Sequence, residues 1–530
     1  MFELDFVGSF GLPAPTSGTA LEVQLISVAY ATADGGRQTD IVQVPLSFRS
    51  APSAALATAS VGQIGGTSEQ DPPLWVYDAP HDPEFVTAWL DLIRGQATAD
   101  PGVGECTASG HTVPGGLRLP TASGSVRVSS GEQSNTSVIV DDGVSAAIVK
   151  IFRVLSVGKN PEVEVGAALT SAGTKEVPST LGWITGTWEV WTPQGRHGTA
   201  SADFAVAHEF LAGGQDAWRL AVDAAASGKD FAAEARQLGQ ATATVHLRLA
   251  ETLGTATERV PGQDIAPEVA RRVRQSWAEA GTAVGPHEQQ LEALLAQLSG
   301  KEAGTLQRIH GDLHLGQILL VPGAAGEPAR WAILDFEGEP LRPIEHRNIP
   351  DVPLRDVVGM LRSFDYAAGA AIRENPGARV PATWVDDCAE AFLAGYSDIT
   401  PGTIDRRSPL FVALWLDKAL YEVIYELRNR PDWLPIPVNA SRQLLGNTSP
   451  GTDAAATSEG KEMTGSARTE RPESRCMWTP LPWAGWPLVR TTPRTRCWAP
   501  TLTTTVTSPS VRSSTSLRRY LWSPKPVPPR

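Results

Sequence analysis

The sequence predicts an α+β chain whose main part is a two-lobed domain. Short apolar runs typical of β-strands occupy the chain up to about residue 215, for example residues 145–152. Helical patterns follow, such as residues 231–238, in which apolar side chains recur on one face. Strands first and helices afterwards favour an α+β fold. The 530 residues are enough for several domains with a sizeable buried core.

Residues 1–110 are predicted to form a small α+β module of their own. Two strand-like runs, 21–28 and 40–46, precede a helix-like run at 83–92. This part contains no clustered histidines, cysteines or paired carboxylates that would carry chemistry. The first residues combine two acids with no basic region or apolar run, so we expect no secretion signal and a cytoplasmic protein.

Composition and charge exclude several classes of protein. The formal net charge of −13 argues against nucleic acid as the main partner, because phosphate backbones are held by clustered Lys and Arg. No apolar stretch approaches the length of a membrane span, so we expect no membrane partner either. The four cysteines stand far apart without a CxxC pair, which argues against a zinc ribbon or a disulfide framework.

The strongest chemical signal is the run His310-Gly-Asp-Leu-His-Leu-Gly-Gln317, followed by an apolar run that ends at Asp335. An acid at a strand terminus points into a cleft, and Mg²⁺ prefers oxygen donors, so Asp335 and the amide oxygen of Gln317 are a plausible metal pair. Asp312 precedes Gln317 by the interval that separates the catalytic Asp of protein kinases from their Asn. Asp312 is therefore the candidate catalytic base.

Other interpretations of this run remain open. His310 and His314 could be zinc ligands, although the glycine between them disfavours a helix and no HExxH glutamate is present. His310 is better explained as a residue that braces the loop. Asp312 and Asp335 could also be two solvated loop acids.

A second group of candidates lies upstream and favours nucleotide binding. Lys150 stands alone in an apolar strand, the position that contacts ATP phosphates in kinases, and a buried lysine requires a partner. Glu164 on the next helix is the predicted partner, with Glu162 as the second choice; a surface lysine on an edge strand is the alternative. The polar run 130–137 precedes the strand and could cover phosphates with backbone N–H groups and hydroxyls. Its candidate ATP contacts are Ser134, Asn135 and Ser137.

With these residues in place, the sequence resembles the bacterial maltokinase family, which has an aminoglycoside-phosphotransferase-like, eukaryotic-kinase-like fold. The resemblance extends in order over about residues 1–445. It is carried by the following segments: 131–137, 160–166, 208–211, 216–218, 310–317, 335–340, 354–367, 418–423 and 431–435.

The resemblance implies transfer of the ATP γ-phosphoryl group to the anomeric hydroxyl of maltose, giving maltose 1-phosphate for α-glucan synthesis. It implies that Asp312 accepts the hydroxyl proton, that Gln317 and Asp335 hold Mg²⁺, and that Lys150 and Glu164 grip the nucleotide. Backbone groups of Glu209 to Leu211 would form the adenine hinge. It further implies an N-terminal cap at 1–110, a kinase N-lobe at 125–212, a C-lobe at 213–446, and possible association with trehalose synthase.

Sugar contacts are sought on the last long helix. An aromatic ring beside a carboxylate suits a sugar, which has an apolar ring face and hydroxyls. The alternative is ordinary boundary packing with a solvated charged face. The candidate substrate contacts are His314, Tyr366, Tyr421, Tyr425, Glu426 and Trp433.

The C-terminal segment differs from the rest of the chain. From Ser474 to Arg530 there is no Asp or Glu, but nine Lys or Arg and five Trp among many Pro, Thr and Ser. Residues 447–530 are interpreted as a disordered or out-of-frame extension, with a basic arm for polyanions as the alternative. For the chain as a whole, two further hypotheses stay open: a kinase of another sugar or an aminoglycoside, and a non-catalytic pseudokinase that serves as a scaffold for a trehalose synthase.

Overall fold

The structure, a computed structural model, describes twelve stretches of the chain. These are residues 2–32, 35–66, 72–121, 124–129, 135–192, 195–256, 264–298, 304–323, 326–339, 347–375, 377–402 and 404–446. The segment 447–530, for which the sequence predicts disorder, lies outside them. The described residues form two compact units, one built from 2–163 and 180–210, the other from 164–179 and 211–446. Within these stretches no helix combines the length and the apolar character needed to cross a bilayer.

The first unit begins with an antiparallel sheet, here called the N-terminal sheet, with strand order β1-β2-β3-β5-β4. Its strands are β1 Phe2–Leu12, β2 Thr19–Ala31, β3 Arg37–Arg49, β4 Ser60–Ile64 and β5 Leu74–Asp78. Helix α1, Pro83–Gly95, follows because Asp82 accepts a hydrogen bond from the backbone N–H of Glu84 and Pro83 occupies the first turn. The two strands and the helix predicted for this region are confirmed.

A second six-stranded sheet, here called the central sheet, completes the first unit in the order β6-β11-β12-β9-β8-β7. Its strands are β6 Thr107–Thr112, β7 Ser125–Val128, β8 Asn135–Asp141, β9 Ala146–Phe152, β11 Thr180–Thr192 and β12 Gly195–Glu209. The short strand β10, Val154–Leu155, leaves this sheet and pairs with β3 of the N-terminal sheet. Helix α2, Pro161–Ser171, runs from the first unit into the second.

The two sheets share one hydrophobic core. Phe10 and Trp89 of the N-terminal part belong to the same buried cluster as Val138, Ile151 and Phe204 of the central sheet. The β6 strand, which the predicted boundary at residue 110 divides, pairs along its length with β11. In the described residues the N-terminal module therefore shares its larger buried cluster with the central sheet, beside a small cluster of its own at Leu46, Phe48 and Val76.

The second unit is mainly helical, as the sequence predicts for the chain after about residue 215. Its helices are α3 Ala217–Ser227, α4 Ala232–Leu253, α5 Ile265–Ala280, α6 Glu288–Ala296, α7 Leu354–Glu374, α8 Trp384–Ile399, α9 Pro409–Asn429 and α10 Pro435–Gly446. Its strands are β13 Gln215–Asp216, β14 Thr255–Ala256, β15 Leu306–Gln307, β16 Ile318–Val321 and β17 Arg330–Ile333. The α+β class is thus confirmed.

Helices α4 and α8 pack closely through two glycines. A Cβ atom on Gly239 would lie 2.0 Å from the carbonyl oxygen of Phe392, and one on Gly395 would lie 1.9 Å from that of Arg236. No real side chain tolerates such contacts, so glycine is required at both positions. This close pair supports α7, which carries residues that hold the loop described next.

Candidate active site

The loop that begins at His310 connects β15 to a 3-10 turn at Leu315–Gln317. His310 is buried, with its ring packed against Phe336 at 4.9 Å between centroids. Its Nε2 lies 2.7 Å from the carbonyl oxygen of Leu334, and its Nδ1 accepts the backbone N–H of Asp312 at 3.3 Å. In this arrangement Nδ1 is the acceptor and Nε2 is the ring nitrogen placed to donate to the Leu334 carbonyl oxygen. His310 thus ties its own loop to the segment that leads to Asp335, which supports the bracing role over the zinc hypothesis.

Asp356 on α7 fixes the start of the same loop. Its buried carboxylate accepts the backbone N–H groups of His310 and Gly311 at 2.7 and 2.8 Å. His246 Nε2 on α4 lies 3.0 Å from the same carboxylate, and Tyr396 on α8 hydrogen-bonds the other ring nitrogen of His246 at 2.8 Å. Gly311 has φ of 86°, a conformation that glycine adopts without strain. The backbone before Asp312 is therefore held by three helices.

Asp312 lies beside a cation that the sequence interpretation did not place at this site. Lys418 on α9 donates from Nζ to Asp312 Oδ1 at 3.2 Å, and the two side chains are 26% and 23% exposed, respectively. Burial raises the pKa of Asp312, but the charge of Lys418, with lesser effects from His314 and His310, outweighs it and holds the pKa below its usual range. Asp312 is therefore a carboxylate at neutral pH, as a proton acceptor must be.

His314 caps the 3-10 turn through its side chain. Its Nδ1 accepts the backbone N–H of Gly316 at 3.1 Å. Burial lowers the pKa of His314 to about 4, so the ring is neutral at physiological pH and carries its proton on Nε2. The predicted sugar contact of His314 stays a prediction, with an Nε2–H donor as the group it would use.

Gln317 and Asp335, the predicted metal pair, lie next to each other. The Gln317 amide donates from Nε2 to Asp335 Oδ2 at 3.3 Å. A half-turn of that amide would put Oε1 beside the carboxylate, and the pair would then supply two of the hard oxygen donors that Mg²⁺ prefers. Asp335 has φ of 61°, in the left-handed region where Asp is one of the few tolerated residues besides glycine. The donor set fits Mg²⁺.

The predicted partner of Lys150 is corrected by the structure. Lys150 Nζ on β9 donates to Glu162 Oε2 at 3.0 Å, with the two side chains only 11% and 7% exposed. Burial alone would raise the pKa of Glu162. The nearby Lys150 and His208 lower that pKa by more than burial raises it, so the carboxylate stays ionised. His208 Nε2 lies 3.2 Å from Glu162 Oε1 on the other side.

Glu164 has a different partner, Arg308 at 3.1 Å, which belongs to the second unit as Glu164 does. Helical positions two residues apart point about 200° away from each other, so only one of the two glutamates can face β9. The second choice of the sequence interpretation, Glu162, is the one that pairs with Lys150. Any contact of Glu164 with ATP stays a prediction.

The remaining nucleotide candidates are placed in part. Ser134, with the rest of 130–134, lies outside the described residues. Asn135 opens β8 opposite Phe152, and Ser137 pairs with Lys150 across the sheet and is buried. Their ATP contacts stay predictions.

The hinge candidates are placed at the end of the central sheet. Glu209 ends β12 opposite Ala147. Phe210 donates its N–H to the carbonyl oxygen of Ala146 at 3.0 Å. The boundary of the two units falls between Phe210 and Leu211, and the carbonyl oxygen of Leu211 accepts the N–H of Gly214 at 3.2 Å. An adenine contact of this segment also stays a prediction.

Two of the predicted sugar contacts are occupied by other side chains. Tyr366 is 2% exposed and donates its hydroxyl to Glu426 at 3.2 Å. Glu426, 1% exposed, also accepts from Arg430 through both carboxylate oxygens. Burial raises the pKa of both Tyr366 and Glu426. A sugar could reach either side chain only by replacing these hydrogen bonds, so the geometry gives their substrate role no support.

The other aromatic candidates lie at the boundary between core and surface. Trp433 stacks on Tyr366 at 6.4 Å between centroids and lies under Arg430, at 4.8 Å. Tyr425 lies under the same guanidinium, at 5.4 Å. Tyr421 lies under Lys418 Nζ, at 5.3 Å, which puts it beside the partner of Asp312. Tyr421 is therefore the aromatic candidate that the structure brings nearest to the proposed chemistry.

Lys418 and Asp356 contact the candidate loop but are not among the site residues that the sequence predicts. Both lie in segments that carry the family resemblance, 354–367 and 418–423, but each is far along the chain from the loop residues that it contacts. From the sequence alone, Lys418 is one of several charged residues on the last long helix. Its position three residues before Tyr421, on the same side of a helix, was a usable signal.

Comparisons with known proteins show the family of the chain. Residues 2–82 match the family model of the maltokinase N-terminal cap domain, and residues 125–338 match that of the phosphotransferase enzyme family. A glucosamine kinase of Mycolicibacterium smegmatis is 30% identical over 335 residues, which cover 59% of this chain and 78% of that protein. A glucosamine kinase of Streptacidiphilus jiangxiensis is 29% identical over 341 residues, covering 59% and 72%.

A solved structure shares the fold. A glucosamine kinase in complex with glucosamine, ADP and inorganic phosphate superposes with a TM-score of 0.55 at 23% identity, covering 84% of this chain and 94% of that one. The kinase-like fold with an N-terminal cap is thereby confirmed.

Proposed function

The chain belongs to the phosphotransferase enzyme family, and we propose that it is an ATP-dependent maltokinase that converts maltose and ATP to maltose 1-phosphate and ADP. The membership makes it a transferase with a sugar-kinase architecture. Maltose as the acceptor is supported by the match of residues 2–82 to the maltokinase cap and by the segments that resemble maltokinases.

The observation that carries the proposed chemistry is the Asp312 carboxylate held next to Lys418 in a braced loop. In the proposed reaction the anomeric hydroxyl oxygen of the sugar bonds to the γ-phosphorus while its proton passes to Asp312. The bond between that phosphorus and the β–γ bridging oxygen breaks, and ADP leaves with the electron pair. Lys418 holds the Asp312 carboxylate in place until that carboxylate takes the proton. Such transfer depends mainly on positioning and on charge stabilisation.

Each unit carries residues that are proposed to act on the nucleotide. Lys150, paired with Glu162, would supply a positive charge for phosphate oxygens. Gln317 and Asp335 would hold Mg²⁺, which when bound with ATP neutralises phosphate charge. The buried His310 keeps the Asp312 and Asp335 segments together through its two ring nitrogens.

A second acceptor, glucosamine, is favoured by a separate observation. Two relatives that align over more than 70% of their own length are glucosamine kinases. Glu339 and Asp417 line one pocket together with Asp312. An amino sugar would present an ammonium group to these acidic side chains, whereas maltose would present only hydroxyls. The reaction and the catalytic residues would be the same for both acceptors.

The test is ADP release from Mg-ATP with maltose, glucosamine, glucose, trehalose, maltotriose and an aminoglycoside in parallel. The sugar product is examined for loss of its reducing end. Maltose-dependent release with a non-reducing phosphorylated product is the expected result. Release with glucosamine alone would replace the acceptor and leave the catalytic residues in place.

Two variants make this test specific. Asp312→Asn should reduce transfer by about 10²–10⁴-fold, because the proton acceptor is lost, while ATP still binds. Asp398→Asn is the matched control, since Asp398 pairs with Arg236 on the surface of α4 and α8 and has no role in the reaction. Absence of release with any acceptor would favour the non-catalytic scaffold, with trehalose synthase as the partner to examine.

A further inference from the structure

Three adjacent strands of the central sheet carry nucleotide candidates and meet β3 of the N-terminal sheet at one end. Strand β8 begins at Asn135, which lies opposite Phe152, the last residue of β9. On the other side of β9, Ile151 pairs with Ala205 of β12. The start of β8 and the end of β9 therefore lie beside an interior part of β12, one or two residues from Lys150.

Gln43 of β3 joins two of these strands. Its side-chain Nε2 donates to the carbonyl oxygens of Phe152 on β9 and Phe204 on β12, at 2.7 and 3.1 Å. Its backbone N–H donates to the carbonyl oxygen of Arg153 at 2.8 Å. Gln43 is 0% exposed, so water does not compete for these bonds. One amide thus fixes the offset of β9 relative to β12.

Arg153 joins the third strand. Its Nη2 donates to both carboxylate oxygens of Asp78, at the end of β5, at 2.8 and 2.7 Å. Its Nε donates to Thr136 Oγ1 on β8 at 2.9 Å. Asp78 therefore holds the guanidinium of Arg153. The guanidinium in turn holds Thr136, the second residue of β8.

We propose that Gln43 and the Asp78–Arg153 ion pair are positioning residues for the nucleotide, through which the cap sets the geometry of the ATP-binding strands; this inference rests on the proposed function. Lys150 lies two residues before Phe152, and β8 follows the segment predicted to cover the phosphates. A shift of β9 against β8 or β12 would carry Lys150 away from Glu162. The cap thus acts on ATP through strand alignment, without touching the nucleotide.

The experiment compares Gln43→Leu and Asp78→Asn with Glu3→Gln. Leucine keeps most of the buried volume of Gln43 and removes both side-chain hydrogen bonds, while Asn at 78 weakens a partly exposed ion pair without threatening the fold. Glu3 pairs with Arg37 across the exposed face of the same N-terminal sheet, so Glu3→Gln removes a cap ion pair remote from β9. Full-length proteins are used throughout.

Three quantities are measured for each variant: the Kd of Mg-ADP by calorimetry, the KM values for ATP and for the acceptor, and the midpoint of thermal unfolding. We expect Gln43→Leu and Asp78→Asn to raise the Kd of Mg-ADP and the KM for ATP about tenfold, while the KM of the acceptor stays unchanged. Glu3→Gln should match wild type. The charge swap Asp78→Arg with Arg153→Asp should recover most of the nucleotide affinity that Asp78→Asn loses.

A purely structural cap would give a different pattern. If both variants bind Mg-ADP as wild type does and only melt at lower temperature, the inference is overturned while the proposed function stands. If the wild-type protein neither binds Mg-ADP nor releases ADP with any acceptor, the proposed function fails, and this inference fails with it. An equal rise in the KM for ATP and the KM for the acceptor in both variants would also contradict a role specific to the nucleotide.

Discussion

Lys418 Nζ lies 3.2 Å from Asp312 Oδ1, so a residue of α9 and the candidate base of the reaction form one ion pair across 106 positions of sequence. The pair keeps Asp312 ionised, since the charge of Lys418 holds the pKa of that carboxyl below its usual range despite burial. It also keeps the carboxylate in a single place. Both effects prepare Asp312 to accept a proton.

Lys418→Met should slow transfer about 100-fold and move the acid limb of the kcat/KM profile to higher pH. The acid limb follows protonation of Asp312, and removal of the ammonium raises the pKa of that carboxyl. The measurement is kcat/KM from about pH 4 to pH 8. Lys229→Met, which removes an exposed lysine on another part of the second unit, is the control. An unchanged acid limb would show that Lys418 does not set the ionisation of Asp312.

Glu162→Gln should raise the KM for ATP much more than Glu164→Gln does. Glu162 is the partner of Lys150, whereas Glu164 pairs with Arg308. Loss of one member of a buried pair costs about 3–5 kcal/mol of stability, so denaturant unfolding is measured beside the ATP kinetics. A larger rise in the KM for ATP with Glu164→Gln would favour Glu164, the partner of Lys150 that the sequence predicts.

Asp356→Asn should lower kcat about tenfold with little change in the KM values. Asparagine keeps one acceptor for the N–H groups of His310 and Gly311 but loses the charge that attracts His246 Nε2. The catalytic loop would then be held less firmly while the substrates still bind. Steady-state kinetics with Asp398→Asn as the reference would detect this split, and equal kcat values in the two variants would refute the positioning role.

Asp335→Asn should raise the Mg²⁺ concentration needed for half-maximal rate about tenfold. Asparagine is the suitable replacement because it tolerates the left-handed backbone of Asp335, so the change removes charge without adding strain. The measurement is a Mg²⁺ titration at fixed ATP, followed by protein fluorescence and by rate. A variant as active as wild type at low Mg²⁺ would contradict the metal role.

Sequence reasoning was most successful where chemistry is concentrated in a short segment. The loop from His310 to Gln317 and the acid at 335 were identified because their spacing along the chain is fixed by one loop and one hairpin. The structure places the Gln317 and Asp335 side chains in contact, as the sequence predicts, while their metal role stays a prediction. Lys150 was identified because a single charge in an apolar strand is costly without a partner.

The features that sequence reasoning does not determine have a common physical cause. The choice between Glu162 and Glu164 depends on which face of α2 meets β9, and local sequence does not determine that face. A tyrosine beside a glutamate, such as Tyr366 and Glu426, is as typical of a buried polar cluster as of a sugar-binding site. Lys418 and Asp356 act through tertiary contacts with the catalytic loop, which no spacing along the chain specifies.

The shared core of the first unit has a consequence for synthesis on the ribosome. Phe10 leaves the exit tunnel early, yet its partner Phe204, at 6.2 Å between ring centroids, is translated almost 200 residues later. Until then the apolar faces of β1, β2 and α1 have no complete covering layer, and the nascent chain needs protection from aggregation. A fragment that ends at residue 110 would keep that exposed face permanently, whereas one that continues through β12 would contain every strand of the core.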